Sequence, residues 1–103
     1  MSESPKEVLE GYVVDIICLR HMSPSQYTEQ AKEHTTSCAL MGHCVESGYG
    51  LVGDNNKLMV LDPKATPWVV ALLKKTDKEK GVRLQVEREE NEKEMETVKV
   101  TAL

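Results

Sequence analysis

The run Val8-Leu9-Glu10-Gly11-Tyr12-Val13-Val14-Asp15-Ile16-Ile17-Cys18-Leu19 decides how the rest of the chain is read. It opens with loose apolar and polar alternation and closes in β-branched residues, the pattern of a long first strand buried on both faces near its end. After it, Ser23-Pro24-Ser25-Gln26 offers a cap, a proline at the first helical position and a glutamine at the third, predicting a polar surface helix to about His34. Thr35 or Thr36 caps a second helical piece that carries Cys38, Leu40, Met41, Cys44 and Val45, kinks at Gly42 and stops at Gly48.

Beyond this insertion, Tyr49 to Val52 and Lys57 to Leu61 suit two strands, and Gly53-Asp54-Asn55-Asn56 between them supplies residues that tolerate left-handed turn geometry. Thr66-Pro67 predicts a helix from Trp68 to about Lys75, with Trp68, Ala71 and Leu72 on one face and lysines at its negative C-terminal end. Val82, Leu84 and Val86 alternate with Arg83, Gln85 and Glu87, and Thr97 to Leu103 repeats the alternation, so a closing hairpin is expected. The run of acids from Glu87 to Glu96, including Glu92, reads as its solvated tip, because it lacks the glycine-bearing pattern of a calcium loop.

Five strands, with a helical insertion at 20–47 between the first and second and a helix between the third and fourth, make a mainly β, α+β chain. In element order it resembles the OB-fold, which implies a five-stranded barrel over one domain, 1–103. The runs EGYVVDIICL and HTTSCALMGHCVESGYGLV also look similar to a class of small Cys- and His-bearing bacterial domains, and no activity is carried over from that likeness.

The composition narrows the function. Lys and Arg number 13 against 17 Asp and Glu, a net charge of −4, which disfavours nucleic acid and anionic lipid as partners. No stretch approaches the roughly 20 apolar residues of a membrane span. The polar, acidic start lacks a secretory pattern, so the chain as written is expected in the cytoplasm, or outside if a leader was removed. Phe is absent, leaving an aliphatic core with methionine as filler. Three cysteines cannot all pair within one chain, and thiols gathered beside histidines suggest metal ligands or redox groups.

The chemistry-bearing residues crowd between Cys18 and Cys44. If the chain is helical from His34 onward, steps of about 100° put His34, Cys38 and Met41 on one face and Cys44 roughly 60° from Met41. Cys18, His34, Cys38 and Cys44 then supply three thiolates and an imidazole, the stoichiometry of a zinc site. Met41, His21 and His43 stand in reserve; a thioether would suit copper(I), and an imidazole or thiolate would suit haem iron. The competing readings are cysteines that are simply core, a Cys38–Cys44 disulfide or thiol exchange with Cys18, and a barrel that binds a protein or oligonucleotide. Cys18 with His21 or His34, oriented by Asp15, imitates a nucleophile and base, but no oxyanion signature accompanies them and no enzyme is assigned.

Overall fold

A computed structural model describes residues 6–91 and 94–103. Its five-stranded antiparallel sheet runs in the order β3-β2-β1-β4-β5, from β1 (Lys6–Asp15), β2 (Tyr49–Val52), β3 (Leu58–Val60), β4 (Arg83–Asn91) and β5 (Glu94–Ala102). Four short helices join β1 to β2: α1 (Ile16–Arg20), α2 (Tyr27–Lys32), α3 (Thr36–Ala39) and α4 (Gly42–Ser47). A longer one, α5 (Ala65–Lys75), joins β3 to β4.

β1 changes partners along its length, pairing with β4 from Lys6 to Tyr12 and with β2 from Tyr12 to Asp15. Gly11 sits at that handover, where a Cβ would come within 2.6 Å of the Val52 carbonyl oxygen. Only glycine leaves room for so close an approach of two backbones. On one face, Leu9, Val13, Leu51, Leu84, Val86 and Val100 form the main core under α5. On the other, Val14 and Val52 pack with Leu19 of α1 and Ala31 of α2 in a smaller cluster.

The sheet is open, with β3 and β5 as its edges, and this corrects the expected barrel. β3 has only three residues, too few to pair along two neighbours. Side chains bridge the gap instead. The Asp62 carboxylate accepts from the Thr97 amide at 3.1 Å and from its hydroxyl at 2.5 Å, and the Arg88 guanidinium reaches the Val60 carbonyl at 3.4 Å.

Four expectations need local correction. The first strand stops at Asp15, because the Asp15 carboxylate accepts from the Cys18 amide and caps a helical turn where β-branched Ile16-Ile17 suggested more strand. The helix expected to His34 is a 3-10 turn, Pro24–Gln26, followed by α2, and Ser23 makes no side-chain cap. On α5 the buried stripe is Ala65, Val69 and Leu73, while Trp68 is 44 % exposed and Ala71 faces solvent. That helix starts three residues earlier than expected, with Pro67 still in the first turn, where a missing amide proton is tolerated. The acidic run is mostly strand, with Glu87 to Asn91 in β4 and Glu94 to Glu96 in β5; Glu92 lies outside the described residues.

The β2–β3 turn has the expected left-handed residues, with Asn55 at φ 60° and Asn56 at φ 61°. Asn56 also positions the insertion. Its side-chain oxygen accepts from the Thr28 amide at 2.9 Å, and its own amide donates to the Thr28 hydroxyl at 2.9 Å, fastening α2 to the hairpin. Among the described residues, no helix is long and apolar enough to cross a membrane.

Candidate metal centre

Asp15 is the hub of the site. It ends β1 opposite Tyr49, on the core side of the sheet, and its side chain is fully buried. A lone buried carboxylate is costly unless hydrogen bonds meet it. Here one oxygen accepts from the Cys18 amide at 3.0 Å, and the other lies 2.9 Å from His34 Nε2. The cap starts α1, and the Ile16 amide, donating to the Gly48 carbonyl at 3.0 Å, ties that turn to the end of α4.

His34 is held by its backbone, in the link between α2 and α3. The Gly81 amide donates to its carbonyl at 3.3 Å, and Thr36 bonds through its amide to the Glu79 carbonyl and through its hydroxyl to the Lys78 carbonyl, both at 2.8 Å. The segment before β4 thus straps 34–36 in place. Gly81 has φ +65°, and a Cβ there would meet the Lys32 carbonyl oxygen at 2.9 Å, so the strap requires glycine on two counts. Thr35 caps α3, its hydroxyl accepting from the Cys38 amide at 3.2 Å. From β2, the Tyr49 hydroxyl donates to the Ala39 carbonyl at 2.5 Å and anchors the far end of the same turn.

These restraints bring one ligand atom from each of Asp15, Cys18, His34 and Cys38 within 4.8 Å of one another. The Cys18 and Cys38 sulfurs are 3.6 Å apart, and all three cysteines are free thiols. Cys44, in α4, is 1 % exposed and adjoins Asp15 and Cys18, but lies outside that four-residue group. His21 and His43 are exposed and also outside it, and Met41 is half-exposed. The continuous helix expected from His34 is not formed: His34 precedes α3, and Met41 is extended at φ −64°, ψ 143° between α3 and α4. Convergence therefore comes from closure of the insertion over the end of β1, and not from one helical face.

From the sequence alone, Asp15 has only the role of orienting a nucleophile and base. Two signals in the sequence pointed to more: an acid in the apolar run Val13-Val14-Asp15-Ile16-Ile17 needs buried partners, and Asp-x-x-Cys is the spacing of a cap that aims the cysteine. The electrostatics follow from the packing. Burial alone would raise the Asp15 carboxyl, but interactions with His34, the Cys18 amide and the Cys44 and Cys18 thiols outweigh it and hold the group well below the usual carboxylate range. Burial pushes the Cys18 thiol far up, helped by the contact with Cys38 and by the negative Asp15. Burial and Asp15 likewise raise Cys44 to about 11, and burial with the same charge raises Tyr49 to about 12.

Tyr49 is buried with its hydroxyl bonded inside the protein, so it offers no face on which a base could stack. Tyr12 is half-buried with the Arg83 guanidinium 5.6 Å above its ring. No family model, curated protein or solved structure matches this chain.

Proposed function

We propose that the chain is a metal-binding protein and that zinc is its metal, held by Cys18, His34 and Cys38 with Asp15 at the fourth corner. The observation that carries the reading is the gathering of two thiols, an imidazole and a carboxylate within 4.8 Å at the end of β1. Zinc–thiolate bonds of about 2.3 Å at tetrahedral angles set two sulfurs about 3.8 Å apart. The 3.6 Å between Cys18 and Cys38 is close to that edge.

The charge pattern supports a cation over a catalytic thiolate. A nucleophilic cysteine needs its thiol pulled down by positive neighbours. Here burial first, and then Asp15, push Cys18 and Cys44 the other way, and a bound divalent ion would offset the carboxylate charge and draw the thiolates out. Zinc accepts mixed sulfur, nitrogen and oxygen donors, whereas copper(I) prefers an all-sulfur shell and haem needs an open face beside its imidazole. His34 Nε2 faces Asp15, which does not offer such a face. Cys44, buried behind Asp15, is the reserve donor in place of Met41, His21 and His43.

The test is zinc titration of metal-free protein with a chromophoric competitor. One equivalent should bind. Cys18→Ala and Cys38→Ala should each abolish tight uptake, and Asp15→Asn should weaken it by about 10- to 100-fold. Cys44→Ala should weaken it less than any of these. Uptake that survives a Cys18→Ala, Cys38→Ala double variant would overturn the reading.

A further inference from the structure

We propose that Cys18 and Cys38 are a modification site, closing to a reversible disulfide when the protein meets a hydroperoxide, and that this bridge and the metal exclude each other. The second half rests on the metal reading above, whereas the bridge itself does not. Spacing along the chain points instead to Cys38 and Cys44, six residues apart within one helical piece. The geometry selects a different pair, 20 residues apart in sequence, with sulfurs at 3.6 Å.

A disulfide bond is about 2.05 Å long, so the sulfurs must close by roughly 1.5 Å. They are carried by separate helical turns, α1 of five residues and α3 of four, which are set by caps and loop hydrogen bonds and not by a long packed helix. Small rotations of either turn can supply the movement. Both cysteines are half-buried, so a small peroxide can reach them, whereas Cys44 is 1 % exposed and shielded.

The reaction balances with a hydroperoxide, ROOH, as the named oxidant. The Cys38 sulfur, having given up its proton, attacks the O–O bond, which breaks to give a sulfenic acid and, with that proton, ROH. The second thiol attacks that sulfur, the S–S bond forms, the S–OH bond breaks and water leaves with the second thiol proton. Two electrons pass from the sulfurs to the peroxide, and a dithiol reductant returns them. With both sulfurs consumed, the group keeps only Asp15 and His34, too few to hold zinc tightly.

The sequence provides a clean readout. Cyanogen bromide cleaves after Met22, Met41 and Met59, placing Cys18, Cys38 and Cys44 in separate fragments. Metal-free wild-type protein is treated with a slight excess of hydrogen peroxide, alkylated, cleaved without reductant and analysed by mass. The expected product joins the Cys18 and Cys38 fragments, with Cys44 alkylated once unfolded. Zinc loading should fall to below about one-tenth and return after dithiothreitol. Cys44→Ser should leave the cross-link intact. A Cys38–Cys44 bridge, three alkylated thiols, or undiminished zinc loading after bridging would each overturn the proposal. If the reduced protein takes up no zinc and the Cys18–Cys38 bridge still forms, the metal reading falls and the disulfide stands.

Discussion

The sheet with α5 and the segment from α1 to α4 solve the same problem by different means. Along β1, β2 and β4, fully buried residues such as Leu51, Leu84 and Val86 share one continuous apolar core with Val69 and Leu73 of α5. The four helices between β1 and β2 have only four to six residues each and bury Leu19, Ala31, Ala39 and Cys44, one residue apiece. Isolated helices shorter than about 12 residues are marginal in water. They persist here because polar groups reach in from elsewhere: Asp15 from β1, Asn56 from the hairpin, Gly81 from the strap and Tyr49 from β2. One region is held by burying area and the other by meeting specific donors and acceptors. The Asp15, Cys18, His34 and Cys38 group, which could hold a metal, is assembled mainly in the second.

The largest effect should come from breaking the first region. Leu51 is completely buried at the centre of the core, and Leu51→Ala should cost about 2–5 kcal/mol of unfolding free energy by lost transfer and cavity formation. Denaturant titration should show that loss equally with and without zinc, because Leu51 faces α5 and is no part of the ligand group. A loss that zinc abolishes would mean that the two regions do not fold as the comparison supposes.

The next effect separates the regions through pH. The Cys44 thiol is raised by burial and Asp15 from an ordinary 9.0 to about 11 in the folded, metal-free protein. Between those values the unfolded chain has released its proton and the folded chain still holds one, so stability is fully present below about pH 9 and is lost as pH rises toward 11. The loss is on the order of 2 kcal/mol at about 1.4 kcal/mol per pH unit. Cys44→Ala should make this slope shallower in thermal melts between pH 8 and 11, leaving the share that the raised Cys18 thiol and, above about pH 10, Tyr49 contribute. A slope that is unchanged in the variant would assign it wholly to those other groups.

The difference between the regions also explains what the sequence revealed. The alternation Val82, Leu84, Val86 reports a strand with one buried face, and Asn55-Asn56 reports a left-handed turn, because both signals are local. The face of α5 differs from the expected one because Trp68 is the largest side chain of its first turns, yet Ala65, Val69 and Leu73 are the residues that join the core, and Trp68 is 44 % exposed. In the insertion, the residue types that make the cluster were plain, but their convergence depends on where short turns stop. Met41 breaks the helix on which the facing of His34, Cys38 and Cys44 was reckoned. The role of Asp15 is hard to see in the sequence because its partners lie 3 and 19 residues away, and only the second reveals the fold-back.

The smallest predicted effect tests whether a polar pin in the insertion serves the site or only the helix. Thr35 is exposed, and its hydroxyl accepts from the Cys38 amide at the start of a four-residue helix. Thr35→Ala should therefore cost only about 1 kcal/mol of local stability, the usual worth of such a cap. Because α3 is so short, losing the cap frees the turn that aims Cys38, so hydrogen exchange should quicken across residues 34–40 and leave β1 and β4 unchanged. Zinc affinity should fall by a few fold, roughly what 1 kcal/mol implies if the metal must re-form the turn on binding. Thr35→Ser keeps the oxygen and should restore both readouts. If exchange quickens in Thr35→Ala while zinc affinity holds, the cap orders the helix without aiming the thiol. Cys38 would then be positioned from the other end of the turn, by Tyr49 through the Ala39 carbonyl.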